Sequence, residues 1–137
     1  MTEHPSATLA RTLSEALANQ DMDAVASCLA DDVVLHFAGS NPLAGDYDGR
    51  EGFFGFMGRA FELTRGTLRL EPVAIMGTDG WACEWERVTA SVDGRHLDQQ
   101  SAAVYRIDDG RIREIWLRGD PDATDAFFAG TAVQTNG

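Results

Sequence analysis

Apolar and polar positions change their period several times along this chain. From about Ser6 to Asn19, Leu9, Leu13 and Leu17 recur every fourth residue, which predicts an amphipathic helix. Asp21 offers a cap for a second, short helix through Val25, Cys28 and Leu29. "VVLHF", 33–37, then predicts a buried strand. A loop rich in Gly, Asn, Pro and Asp follows. "REGFFGFMGRAFELTRG" returns to helical spacing through Phe54, Met57 and Phe61. Its Gly52, Gly55 and Gly58 each weaken a helix by up to about 1 kcal/mol against alanine. They are read as close packing of that helix onto a sheet. A phosphate loop would put the glycines after a strand and before a helix, with a lysine.

From Thr67 onward the pattern becomes that of strands. "TLRLEPVAIM", "GWACEWERVTASV", "RHLDQQSAAVYRI" and "RIREIWLR" are separated by "TDG", "DG" and "DDG", which are hairpin signals. The layout is α+β: two or three N-terminal helices cover one face of a strongly twisted, mostly antiparallel sheet. After Asp120, "PDATDAFFA" predicts a short closing helix. The expected organisation is one domain over 1–129 and a flexible tail over 130–137.

Composition narrows the function classes. The 137 residues carry 22 acids against 11 bases, a net charge of −11, and every base is arginine. Such a surface repels phosphate backbones and anionic lipid, which argues against nucleic-acid and membrane partners. Without lysine there is no Schiff-base chemistry. "MTEHPSATLARTLSEAL" lacks the features of a signal peptide, and no stretch is long enough to span a membrane, so a cytoplasmic location is expected. Cys28 and Cys83 are then reduced thiols. His4, in an end expected to be disordered, His36 and His96 show no paired ligand spacing, so no metal and no cofactor are expected.

Hairpin register gives cross-strand neighbours. With Asp93-Gly94 as a two-residue turn, Val92 pairs with Arg95, Arg87 with Gln100, Trp85 with Ala102 and Cys83 with Val104. With Asp109-Gly110 as the next turn, Val104 pairs with Ile115 and Ala102 with Leu117. One face then presents Trp81, Cys83, Trp85, Val104, Ile115 and Leu117, continuing into Arg87 and Gln100. The other presents Glu84, Glu86, Gln99, Ser101, Glu114, Trp116 and Arg118. The first face fits either a ligand pocket or a core whose last row reaches solvent.

Two residues stand out for chemistry. His36 ends an apolar strand at a long loop, as a hydrogen-bonded core histidine or a pocket group. Asp120 precedes Pro121 and a short helix, as an N-cap or a base. The two Asp120 readings conflict, because a capping carboxylate is stabilised as the anion and loses basicity.

The order of elements, "ADDVVLHFAGSNPLAGDYDGREGFFGFM", the "VYRIDDGRIREIW" hairpin and the closing Asp120 with "DAFFA" together resemble the SnoaL-like group of the nuclear transport factor 2-like superfamily, over about Leu9 to Phe128. The resemblance implies a cone-shaped domain with a curved sheet around helices, a deep apolar pocket and frequent homodimers. It implies an acid/base aspartate at Asp120, with His36 orienting it from the end of the first strand. The matching positions for a ketosteroid isomerase, near Phe37 or Ala38 and Ala103 or Val104, lack the required acids.

The expectation is a cofactor-free acid/base enzyme acting on a hydrophobic small molecule, by cyclisation, isomerisation, dehydration or epoxide opening. Asp120 and His36 would be catalytic. Arg87 and Gln100 would hold a polar oxygen, while Tyr47, Phe54, Met57, Trp85 and Leu117 shape an apolar pocket. Asp120 reaches that pocket only through a bulge at Gly119. Trp116, Tyr105, Ala103 and Leu97 on the outer sheet face would support a homodimer. The alternative is a non-catalytic small-molecule-binding or interaction module of the same fold.

Overall fold

In the computed structural model the described residues are 3–129, with the backbone of 130–136; the expected tail at 130–137 lies outside the residues whose side chains are described. Helix α1 (Pro5–Ala18) starts where His4 Nδ1 accepts the Ser6 N–H at 3.0 Å, with Pro5 in the first turn. His4 also bonds Asp79 Oδ1 at 2.9 Å through Nε2, so the N-terminal segment is tied down rather than loose. Helix α2 (Met22–Cys28) is capped by Asp21, which accepts from Ala24 N at 3.2 Å. Strand β1 (Leu29–Phe37) leads to a short strand, β2 (Gly45–Asp48), inside the stretch whose composition predicted only a loop. Helix α3 is Gly49–Leu63. Strands β3 (Arg69–Thr78), β4 (Trp81–Val92), β5 (Arg95–Asp108) and β6 (Arg111–Arg118) precede helix α4 (Pro121–Asn136).

All six strands form one curved sheet in the order β2-β1-β6-β5-β4-β3. β1 and β6 run parallel, and every other neighbouring pair is antiparallel. The helices lie against the inner face. At Gly77 on β3 the approach of α1 is so close that a Cβ would stand 2.5 Å from Ala7 N, so only glycine fits. A Cβ at Gly52 would meet the Tyr47 backbone at 2.9 Å, which is the close packing its position suggested. Gly55 and Gly58 face open space, and nothing in the structure explains them.

Asp93 (φ 51°) with Gly94 (φ 81°), and Asp109 (φ 53°) with Gly110 (φ 71°), have positive φ at both central positions, as type I′ hairpin turns require. The β4–β5 pairs follow the predicted register, including Arg87 with Gln100 and Trp85 with Ala102. The β5–β6 pairs do not. Arg106 faces Glu114 while Ile107 faces Ile112, so Arg113 is an extra residue on β6. That bulge moves the register by one, and Ile115 pairs with Tyr105 and Leu117 with Ala103. Its extra residue is held by Arg113 Nη1 bonds to Asp32 at 2.7 and 2.8 Å.

The predicted faces of β4 and β5 are inverted in the structure. Ala82, Glu84, Glu86, Val88, Ala90 and Val92 are buried inward, with Leu97, Ser101, Ala103 and Tyr105 beside them. Trp81, Trp85, Arg87 and Gln100 point outward. Of the four residues proposed to join two copies, Leu97, Ala103 and Tyr105 are therefore core, and Trp116 alone is on the outer face. The bulky tryptophans mislead here, while the second half of β4 gives the true phase: Val88, Ala90 and Val92 alternate with Arg87, Thr89 and Ser91.

Candidate functional site

The inner face and the helices enclose a cavity of about 740 Å³. Its walls are apolar: Leu13 and Leu17 from α1, Phe53, Phe56, Met57 and Phe61 from α3, Leu35 from β1, and Ile115 and Leu117 from β6. Phe128 from α4 closes one side, and the exposed Ala18, Gln20, Arg69, Arg118 and Pro121 mark the rim.

Polar groups enter this cavity from two adjacent strands and one helix. β4 supplies Glu84 and Glu86, β5 supplies Gln99, Ser101 and Tyr105, and α1 supplies Ser14. Residues two apart on a strand share a face, so the two glutamates stand side by side. Glu84 is 2% exposed and Glu86 7%. Neither forms an ion pair among the described residues, and Glu84 Oε1 has no hydrogen-bond partner.

Burial away from water pushes both carboxyls up, Glu86 to about 8. Glu84 adds to the rise at Glu86 by hydrogen bonding and by charge, whereas Glu86 and the Ser14 hydroxyl oppose the rise at Glu84. Glu86 thus keeps its proton at neutral pH, and the two carboxyls titrate as a linked pair. Burial and the two glutamates raise the Tyr105 phenol well above its ordinary value, so it stays a donor. Gln99 is fixed, its Nε2 donating to Thr124 Oγ1 at 2.9 Å and its Oε1 accepting Asp120 N at 2.8 Å. Gly119 makes room for it, since a Cβ there would meet Gln99 Nε2 at 2.9 Å.

The residues singled out in the sequence fall into three places. Met57 and Leu117 line the cavity. Tyr47 and Phe54 pack beside it: Tyr47 donates its hydroxyl to Leu43 O at 2.7 Å and meets Phe56 edge-on, and Phe54 packs edge-on against Phe53. Trp85, Arg87 and Gln100 stand on the outer face. There Trp85 Nε1 donates to Gln100 Oε1 at 3.0 Å, and Arg87 forms a two-bond pair with Asp98 at 2.9 and 2.7 Å.

His36 and Asp120 do not form a dyad. His36 lies on the outer face, opposite Trp116 in the β1–β6 ladder and stacked on it at 5.5 Å. Its Nδ1 donates to Asp46 Oδ1 at 2.7 Å and its Nε2 to Glu114 Oε2 at 2.6 Å, so both nitrogens are occupied. Those bonds, Asp46 first, raise the imidazole, and the same bond lowers Glu114. Asp120 caps α4: Oδ1 accepts from Asp122 N at 3.0 Å and Ala123 N at 3.3 Å, and the residue is exposed. Regular alternation is what keeps the two apart. The space at Gly119 is filled by Gln99.

The sequence reading missed Glu84 and Glu86 as site residues because acids on a strand look solvated. Their position in phase with Val88, Ala90 and Val92 was the available signal.

This geometry has known counterparts. Residues 10–115 match the family model described as the SnoaL-like domain. An uncharacterised protein of Mycobacterium tuberculosis is 32% identical over 132 residues, covering 94% of this chain and all of the relative (100%). Among solved structures, Bal32a from a soil-derived mobile gene cassette is 26% identical with a TM-score of 0.86, over 90% of this chain and 96% of that one. A candidate polyketide cyclase of Xanthomonas campestris shares the fold at 18% identity and a TM-score of 0.72, over 90% and 96% of the two chains. No helix among the described residues is long and apolar enough to cross a membrane. The chain belongs to the SnoaL-like family and has the nuclear transport factor 2-like cone fold.

Proposed function

We propose that this protein is a cofactor-free acid/base catalyst that moves a proton on a hydrophobic small molecule bound in the inner cavity. The observation that carries this reading is the buried Glu84–Glu86 pair on an apolar wall, with Glu86 pushed up to about 8. A carboxyl with that affinity both gives and takes a proton near neutral pH, which is what general acid/base catalysis requires. Tyr105 supplies a neutral donor to a developing oxyanion, and Glu86 takes the role that the family resemblance implied for Asp120. The likeness to candidate polyketide cyclases favours enolisable carbonyl compounds, among them precursors of ring closure, isomerisation or dehydration.

Proton exchange tests this without knowledge of the natural substrate. Hydrophobic ketones such as 2-tetralone are incubated with the full chain in heavy water, and loss of the α-proton signal is followed by NMR. Exchange above the buffer rate is expected, with Glu86→Gln slowing it by roughly a hundredfold or more. Exchange no faster than buffer across the panel, or unchanged in Glu86→Gln, counts against it.

A second reading concerns assembly. The outer face exposes Met76, Trp81 and Trp85 at 56%, 44% and 39%, with Trp81 stacked on Trp116 at 6.0 Å. We propose that two copies pair through this face, burying these aromatics. Light scattering that gives a monomer mass at tens of micromolar would refute the pairing.

A further inference from the structure

We infer that the occupant of the inner cavity is a hydrophobic molecule carrying a protonated amine, seated with its nitrogen at the Glu84–Glu86 pair. The inference rests on the cavity being the ligand site and names the class of ligand it takes.

The argument begins with a missing counter-ion. Glu84 and Glu86 line an apolar cavity, and Oε1 of the 98% buried Glu84 has no hydrogen-bond partner. Once Glu84 gives up its proton the pair is negatively charged, even while Glu86 keeps its own. The groups around them are Ser14, Ser101 and Tyr105, all neutral, and the thiol of Cys83, which burial and Glu84 keep protonated. Arg11 is near enough to be felt by Glu84, but its guanidinium is bound to Glu3 at 2.6 Å. Arg69 and Arg118 stand at the rim, with Nη1 of each donating to backbone carbonyls, those of Gly66 and Leu68 and that of Leu117. The chain has no lysine to fill the gap.

A charge left without a partner where a ligand goes selects the ligand's charge. Folding has already stripped these carboxyls of water, so an arriving cation gains a charge-assisted hydrogen bond without a second desolvation of the protein. An ammonium brings up to three N–H donors to two acceptor groups, an alcohol brings one, and a carboxylate is repelled. The net charge of −11 draws cations toward the molecule at long range. Phe53, Phe56, Phe61 and Leu117 leave the rest of the 740 Å³ to a hydrocarbon body. The nitrogen anchored at the pair also brings its neighbouring carbons within reach of Glu86.

Titration calorimetry of the full chain with three ligands of one shape decides the matter: 2-naphthylethylamine, 2-naphthylethanol and naphthalene-2-acetate at pH 7. The amine is expected to bind roughly tenfold to a hundredfold more tightly than the alcohol, and the carboxylate most weakly. In the double variant Glu84→Gln/Glu86→Gln, whose amides keep the shape and hold no charge whichever carboxyl carries the proton, the advantage of the amine over the alcohol should shrink to within about threefold. The ranking with the unaltered protein stands even if a variant fails to fold. An alcohol or carboxylate that equals the amine, an amine that does not bind at millimolar concentration, or an advantage that survives in the double variant overturns the inference. The proton-exchange assay uses neutral ketones and is unaffected by those results, so the two readings fail separately.

Discussion

On the outer face of the sheet, Glu114 accepts from His36 at 2.6 Å and from Arg106 at 3.3 Å, and its carboxyl is lowered. Two strands away on the inner face, Glu84 and Glu86 form no ion pair among the described residues, and both are raised. The residue type is the same and the sheet is the same. What differs is the partner: an imidazolium and a guanidinium outside, a second carboxyl and hydrocarbon inside. Outer carboxylates fix neighbouring strands, joining β1 to β6 through His36. Inner ones keep a proton available. A titratable group is useful to chemistry where the fold leaves it unsatisfied, and useful to stability where the fold satisfies it.

The strongest way to break this comparison is to exchange the faces. Ile112 and Ile115 are 0% and 1% exposed although they are three apart, which a regular strand forbids and the Arg113 bulge permits. Deleting Arg113 puts one of them in solvent, at a cost of roughly 2 to 3 kcal/mol for that side chain alone, and removes the Asp32 pairing. The expected outcome is loss of a cooperative melting transition in calorimetry.

Next in size is the inner pair. Folded Glu86 keeps its proton up to about 8, whereas the ordinary glutamate value is 4.5, so the folded state holds an extra proton between those limits. Stability therefore falls as pH rises from about 4.5 to about 8. Glu86→Gln removes that slope and should be more stable than the parent at pH 9 by roughly 2 kcal/mol or more, seen as a higher urea midpoint. The same variant loses proton exchange. A gain in stability together with a loss of activity is the mark of a group retained for chemistry.

The outer cluster predicts the opposite combination. His36 is raised, so its contribution is full below about 6.5 and is lost as pH rises through the folded value; Glu114 is lowered, so its contribution is present above about 4.5 and is lost as pH falls. His36→Ala should cost about 1 kcal/mol or less, greatest between those limits, and leave proton exchange within about twofold. Chemical denaturation at pH 5.5 and pH 9 checks the window. Smallest of all, Asp120→Asn should change stability by only a few tenths of a kcal/mol, because asparagine also caps helices, and leave turnover intact. A hundredfold loss of exchange in Asp120→Asn would restore the aspartate to the mechanism.

Much of the fold was legible in the sequence. Leu9, Leu13 and Leu17 gave α1, Asp21 gave the start of α2, and two Asp-Gly turns gave the β4–β5 and β5–β6 hairpins. The site was less legible, for two physical reasons. A bulge inserts one residue without a strong local signal, and one residue inverts every side chain beyond it; only the three-residue spacing of Ile112 and Ile115 records it. The outer face is also unusually apolar, so tryptophan content pointed to the wrong side. His36 and Asp120 were read as a catalytic pair, but hydrogen-bond partners that come from Asp46, Glu114 and Gln99 cannot be read from spacing along the chain.

The parallel pairing of β1 with β6 has a consequence for synthesis. Leu35 must find Ile115, so the first strand to be translated waits with an open edge until the last one emerges. Pairings this distant in sequence make folding slow and leave apolar surface uncovered in the meantime. The cavity inherits that schedule: Ile115, Leu117, Pro121, Thr124 and Phe128, all from the end of the chain, complete its wall. A nascent or C-terminally shortened chain therefore lacks the wall that completes the chamber.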